Sequence, residues 1–204
     1  MFTKTHWEER YQEGKDSLPW DSGSPAAELV EYFTSLTELP KRVLEIGCGT
    51  GTNAIWMAQQ GVTVVATEFS PTALESAKNK ASKAGVNVEF LLSDIVEKAA
   101  KPDTKFDFVF DRGVYHVMAP EHREVFIDRV ATALNAHGYW LCLAGSADEI
   151  RLPDEKGPPQ LKASDLVDNA EGKFELHELA RTHFILPGGK PHLAWKALFR
   201  KREI

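Results

Sequence analysis

Val43-Leu44-Glu45-Ile46-Gly47-Cys48-Gly49-Thr50-Gly51 is the stretch whose pattern decides the fold. Apolar Val43, Leu44 and Ile46 suit a buried strand. Three glycines at alternate positions let the backbone turn sharply and come close to a ligand. Residues 52–60 follow with helical spacing, with Ile55 and Ala58 turned inward and Trp56 at the core or its edge. A strand, a glycine turn and a helix N-terminus together present backbone N–H groups outward, which is a place to hold a nucleotide-like ligand. A glycine turn alone has low specificity, so the flanking chain must narrow the ligand.

Working outward, the same unit recurs. Gly61 ends the first helix, and residues 62–67 form a second strand with Glu68 at its carboxyl end. Ser70-Pro71 supplies a cap and a first-turn proline for a helix that runs to about Ala84 and stops at Gly85. Residues 88–92 make a third strand, ending in Ser93-Asp94-Ile95. Residues 106–110 make a fourth, followed by Asp111-Arg112-Gly113. Pro120 to Leu134 reads as a helix with Val125, Phe126, Val130 and Leu134 inward. His137-Gly138 stops it before a fifth strand at 139–144. Strands alternating with helices predict an α/β fold, a parallel sheet with helices on both faces. The carboxy-terminal part departs from this rhythm. A polar loop at 146–160 leads to a short helix capped by Ser164. Two β-like runs, 174–185 and 194–200, are joined by Leu186-Pro187-Gly188-Gly189-Lys190-Pro191, a turn suited to an antiparallel hairpin.

The amino-terminal region reads as two helices and a loop. Residues 4–13 carry Trp7, Arg10 and Tyr11 at helical spacing, and Ser24-Pro25 opens a second helix that Pro40 closes. Between them the loop at 18–25 holds Trp20, which either covers the edge of the core or lies over a ligand. The whole chain, 204 residues, is expected to be one domain: an amino-terminal lid region at 1–39, a cofactor-binding core at 40–145 and a substrate-side loop and hairpin at 146–204.

Composition bounds the function. With 43% apolar residues and five tryptophans the chain has the material for a packed core. A net charge of −6 gives no electrostatic footprint for nucleic acid; the short basic tail Arg200-Lys201-Arg202 reads as a solvated end. Cys48 and Cys142 lie in apolar or glycine-rich segments and read as buried free thiols in a reducing compartment. No stretch has signal-peptide or membrane-spanning character, so a cytoplasmic location and no membrane partner are expected. The seven histidines are scattered without ligand spacing, so no metal site is expected.

In an open α/β sheet, ligands bind beyond the carboxyl ends of the strands. That rule gathers the scattered residues into one site. Glu68 falls 21 residues after Gly47, where a carboxylate can take both hydroxyls of a ribose. Asp94 can take an adenine amino hydrogen while Ile95 covers the ring. Asp111 and Arg112 end the fourth strand. The glycine spacing differs from a dinucleotide fingerprint, with Thr52 at the third required position, and no Lys-Ser/Thr follows as in a P-loop. Glu45, two residues before the first glycine, suits a cationic ligand such as a sulfonium better than a pyrophosphate.

These motifs resemble class I S-adenosylmethionine-dependent methyltransferases: VLEIGCGTG at 43–51, Glu68, and Ser93-Asp94-Ile95. A narrower likeness spans almost the whole chain. Trp7-Glu8-Glu9-Arg10-Tyr11-Gln12-Glu13-Gly14, Leu18-Pro19-Trp20-Asp21, Asp111-Arg112-Gly113 with Ala119-Pro120 and Arg123, and Gly157-Pro158-Pro159 resemble the thiopurine S-methyltransferase and halide/thiol methyltransferase group. The resemblance implies a seven-stranded Rossmann-like sheet, mostly parallel with an antiparallel carboxy-terminal hairpin. It implies S-adenosyl-L-methionine as cofactor, leaving as S-adenosyl-L-homocysteine. Tyr11, Trp20, Glu45, Gly47, Gly49, Gly51, Glu68, Phe69, Asp94, Ile95 and Asp111 are then the cofactor residues. Trp20, Arg112, Tyr115 and His116 face the acceptor. The unmodified GCGTG loop and Val114-Tyr115-His116-Val117 depart from the thiopurine enzymes, and look closer to bacterial relatives acting on small heteroaromatic or phenolic compounds.

Methyl transfer from a sulfonium asks the protein chiefly for alignment and a dry pocket. His116 is the candidate general base for a neutral acceptor, or else a core-edge histidine. Arg112 either holds an anionic acceptor or pairs with a nearby acid. Tyr115 either walls the acceptor or packs in the core. The expected reaction is methylation of a small acceptor, a thiol, thiopurine-like compound, phenol or ring heteroatom, by a monomer or homodimer. Competing readings are an RNA or protein methyltransferase, a non-catalytic S-adenosylmethionine-binding module, and a nicotinamide-dependent protein.

Overall fold

The computed structural model describes residues 3–14, 18–152, 154–155, 157–185 and 191–203. Among the described residues six α-helices surround a seven-stranded sheet: α1 (Lys4–Gln12), α2 (Ala27–Ser35), β1 (Arg42–Ile46), α3 (Thr52–Gln59), β2 (Thr63–Glu68), α4 (Pro71–Ala84), β3 (Glu89–Leu92), β4 (Phe106–Arg112), α5 (Pro120–Ala133), β5 (Leu134–Gly145), α6 (Ala163–Ala170), β6 (Phe174–Phe184) and β7 (His192–Lys201). The strand order is β3-β2-β1-β4-β5-β7-β6. The first five strands are parallel, and β7 pairs antiparallel with both β5 and β6. The expected hairpin is present as paired strands; its turn at 186–190 lies outside the described residues.

The central strands β1, β2 and β4 and the second half of β5 are buried on both faces, which explains their near-continuous apolar runs. Successive side chains alternate between faces. Leu44 and Ile46 join Val109, Trp140 and the α5 residues Phe126, Ile127 and Val130. Val43 joins Phe108, Phe110 and Leu141 with Leu29 and Phe33 of α2 and Met57 of α3 on the other face. Order reverses between β1 and β4, so the crevice at their carboxyl ends is the topological switch point.

Several local expectations shift. Ser70 caps α4 as read, accepting from the Ala73 amide at 3.0 Å, and Gly85 closes it in the left-handed conformation. Ser24 does not cap α2: Ala26 occupies that position without a side-chain acceptor, and its own amide donates to Asn53 Oδ1 at 2.9 Å. Ser164 lies inside α6, where Asp165 accepts from the Lys162 amide at 2.8 Å. Val125 faces partly outward, since Phe126 and Ile127 take the inward positions of α5. β5 begins at Leu134, with a bulge against β4 and His137 at φ 61° absorbing the turn expected there. The basic tail is not a free end. Arg200 and Lys201 belong to β7, Lys201 donates to the Leu134 carbonyl, and Arg202 donates to the Glu171 and Phe174 carbonyls.

Candidate active site

A cavity of about 630 Å³ lies at the carboxyl ends of the parallel strands, within the range that encloses small ligands. Strand order sets its axis. Asp94 and Glu68 follow β3 and end β2; Gly47 follows β1; Arg112 ends β4; and His116 lies in a 3-10 turn (Tyr115–Val117) against the end of β5. The cavity therefore runs from a nucleotide-suited end to an end beneath the carboxy-terminal hairpin.

Nine expected residues line it: Tyr11, Trp20, Gly47, Glu68, Phe69, Asp94, Ile95, Arg112 and His116. Gly47, at φ +66°, is required there, since a Cβ would sit 2.3 Å from Val114 Cγ2. Glu68 accepts from the Gly49, Phe69 and Ser70 amides at 2.8–3.0 Å. Burial pushes its carboxyl upward and those three N–H groups oppose the shift. A carboxylate offers about four acceptor positions, so a ribose diol would replace at least one backbone partner. Asp94 Oδ1 accepts from the Val96 amide at 2.8 Å, and Oδ2 pairs with Lys4 at 2.8 Å.

The other expected residues stand behind the wall. Glu45 is fully enclosed. Its Oε1 accepts from Asn53 at 3.1 Å and its Oε2 has no partner among the described residues; burial raises its pKa to about 8. Gly49 is covered by Tyr11, whose hydroxyl lies 2.8 Å from where a Cβ would be, and Gly51 packs on Ala77. Asp111 is spent on the fold: it accepts from the Tyr115 amide at 3.1 Å and from Trp140 Nε1 at 2.9 Å. Burial lifts its pKa to about 6 against those bonds. Tyr115 is a core residue rather than an acceptor wall. It is fully buried among Phe126 and Trp140, and its hydroxyl donates to the Asp165 carbonyl at 3.1 Å.

The amino-terminal region closes over the crevice. In α1, Glu8 accepts from the Ser70 and Thr72 hydroxyls, and Lys4 pairs with Asp94 and Glu97. Trp7 and Tyr11 meet Trp20 edge-on, with centroids 5.2 and 6.1 Å apart. The next residue, Asp21, is pinned by Thr50 at 2.7 Å and Lys80 at 3.1 Å. Burial raises its pKa, and these partners more than cancel the rise. Arg112 completes the strap by donating to the Trp20 carbonyl at 3.2 Å, its guanidinium 4.9 Å over the Phe184 ring. Burial lowers the Arg112 pKa, while Glu28, Asp21 and Glu45 oppose the change.

His116 accepts a hydrogen bond at Nδ1 from the Gly145 amide at 2.8 Å. Burial, then Arg112 and Arg151, depress its pKa to about 3. Lining residues without a sequence signal include Thr67, Met118 and Phe184. Phe184 is the clearest case: it ends β6, far along the chain, and nothing in a β-like run marks one apolar residue as facing a site. Pro158 and Pro159, noted by resemblance, are in the wall.

Residues 43–138 match the methyltransferase domain family. The chain is 27% identical over 167 residues to 2-heptyl-1-hydroxyquinolin-4(1H)-one methyltransferase of Mycobacteroides abscessus, covering 79% of this chain and 73% of that protein. It is 30% identical over 156 residues to probable thiol methyltransferase 2 of Arabidopsis thaliana, covering 75% and 65%. These matches make the chain an S-adenosylmethionine-dependent methyltransferase, similar to the class I enzymes. In fold this methyltransferase resembles the 1,6-didemethyltoxoflavin-N1-methyltransferase of Burkholderia thailandensis, solved with 1,6-didemethyltoxoflavin and S-adenosylhomocysteine (TM-score 0.76, 19% identity, 98% of this chain and 87% of that one).

The methyltransferase has residues that fit its cofactor. The glycine turn leaves no room for side chains. The buried Ser93 hydroxyl lacks a partner among the described residues and lies in the cavity wall, and Glu68 and Asp94 place acceptors at the nucleotide end. No group of His, Cys, Asp and Glu suited to a metal occurs among the described residues. Cys48 and Cys142 are buried free thiols, and burial raises both pKa values. No described helix is long and apolar enough to cross a membrane.

Proposed function

We propose that this methyltransferase methylates a small, flat acceptor, a thiol, an acidic phenol or a ring heteroatom with its substituent, bound at the hairpin end of the cavity. The observation that carries this reading is the continuity of one cavity. Its nucleotide end has Glu68, Phe69, Asp94 and Ile95, and its other end is an apolar chamber walled by Val117, Met118, Pro159 and Phe184 around Arg112 and His116. S-adenosylmethionine supplies an activated methyl group on a sulfonium. The chain's own residues hold and orient: Glu68 and Asp94 take polar hydrogens, Phe69 and Ile95 cover a ring, and Trp20 and Tyr11 exclude water from above. Alignment of this kind is worth about 7–11 kcal/mol in favourable cases. The hydroxyquinolone and thiol acceptors in the relatives' names are of the size and chemistry such a chamber suits. A macromolecular acceptor is disfavoured by the strap of α1 and Trp20 over the crevice.

Titration calorimetry tests the cofactor half. S-adenosylhomocysteine binds one site and NAD gives no heat. Glu68→Gln, which keeps volume but loses charge, weakens S-adenosylhomocysteine at least tenfold. Equal affinity in the variant refutes the assignment of Glu68.

A further inference from the structure

Resting on the small-molecule reading above, we infer that His116 is a hydrogen-bond donor to an acceptor that enters as an anion, and that His116 is not a general base. A neutral imidazole has one N–H and one lone pair. The Gly145 amide points at Nδ1 from 2.8 Å, so Nδ1 carries the lone pair and Nε2 carries the proton. Nδ1 is thereby withdrawn from chemistry, and Nε2 has no lone pair with which to take a proton. No described residue hydrogen-bonds Nε2, and His116 lines the cavity.

The setting enforces this state. Gly145 is locked from behind: Pro159 O would lie 2.1 Å from a Cβ there, and the Gly145 carbonyl accepts from the Leu161 amide at 2.8 Å. The charged groups facing His116 are Arg112 from β4 and Arg151 from the loop after β5, both cations that oppose an imidazolium; from β6 it meets the uncharged ring of Phe184. Arg151 is itself held by Glu149 and by the Pro158 carbonyl at 2.6 Å, so it stays beside the ring. Two donors, His116 Nε2–H and the Arg112 guanidinium, thus gather around Phe184 in an otherwise apolar chamber.

The proton balance follows. The acceptor atom bonds to the methyl carbon while the carbon–sulfur bond breaks and its electron pair goes to sulfur. A neutral thiol or phenol must also lose a proton. With Nδ1 engaged and Nε2 protonated, that proton leaves to solvent before binding. The anion enters and is held through its charged atom, or an adjacent carbonyl or N-oxide oxygen, by His116 and Arg112. Acceptors acidic enough to ionise near neutrality are the matching class, and aliphatic alcohols, which stay protonated there, are excluded.

Long-range 15N–1H NMR on the ¹⁵N-histidine-labelled chain reads the tautomer without turnover, with His116 assigned by loss of its signals in His116→Gln. Protonated Nε2 and bare Nδ1, unchanged through neutral pH, are expected. An Nδ1–H tautomer, or an imidazolium titrating near neutrality, overturns the inference. Kinetics supply the second arm. With acceptors of graded acidity, the pH at which kcat/KM levels off moves with each acceptor's own pKa. His116→Ala loses tenfold or more in kcat/KM, and His116→Gln, a donor but not a base, recovers a large part of it. A fixed inflection for all acceptors, or a Gln variant as impaired as Ala, overturns it as well. If the wild type methylates none of these acceptors, the small-molecule reading fails, while the NMR result still judges the tautomer.

Discussion

Glu45 shows how one buried carboxyl can be costly to the fold and legible in the sequence at the same time. It sits inside β1, where alternation predicts an apolar residue, and one of its oxygens has no partner among the described residues. Burial lifts its pKa from 4.5 to about 8. In the folded chain it holds its proton more tightly than when unfolded. Its stabilising contribution is therefore complete below pH 4.5 and is lost as pH rises toward 8. At about 1.4 kcal/mol per pKa unit, the swing amounts to several kcal/mol. Glu45→Gln removes the titration. The variant's melting temperature is expected to change less between pH 5 and 8.5 than the wild type's, with the variant gaining at the alkaline end. His116 acts in the opposite sense: its lowered pKa costs stability as pH falls below 6.5, so the comparison isolates Glu45 above that value. Parallel melting curves for the two proteins across pH 5 to 8.5 would contradict the burial argument.

At the scale of elements, α1 is the informative one. It contains no buried residue and almost no apolar face, so its own packing does not hold it. Polar contacts to α4 and to the end of β3 do, through Glu8 with Ser70 and Thr72 and through Lys4 with Asp94 and Glu97. These pairs are partly exposed and each is worth about 1 kcal/mol or less. Such an element opens locally without global unfolding. The double variant Lys4→Ala/Glu8→Ala is expected to raise hydrogen exchange across residues 4–12 at least tenfold while α5 and β5 keep wild-type protection. Unchanged exchange in α1 would mean that Trp7, Tyr11 and Trp20 alone fasten the strap. What the sequence revealed of the elements follows the same division. Regular signals such as Ser70-Pro71 with Gly85 located α4 to the residue, because capping is local chemistry. Ser24 and Ser164 misled because the partner that completes a helix start can come from a distant side chain, as Asn53 does for Ala26, or from inside the helix, as Asp165 does for Lys162.

For the whole molecule, the parallel order of strands is what turns dispersed residues into a site. Glu68, Asp94 and Arg112 were legible because each ends a strand, and strand ends converge in this topology. Tyr115 was harder, since neighbours in sequence on a 3-10 turn face opposite ways: His116 lines the cavity while Tyr115 enters the core. Phe184 and Gly145 escaped because their roles depend on contacts across the sheet. The resulting cavity is closed above by an aromatic strap and walled by apolar side chains, an enclosure suited to a small acceptor. The most direct test supplies S-adenosylmethionine with a labelled methyl group to the wild-type chain, together with thiols, phenols, N-hydroxy heterocycles, total RNA and bulk protein. The label in each fraction is then counted. The account predicts label in the small-molecule fraction, carried by the acidic acceptors, with RNA and protein at background. Label confined to RNA or protein would contradict it.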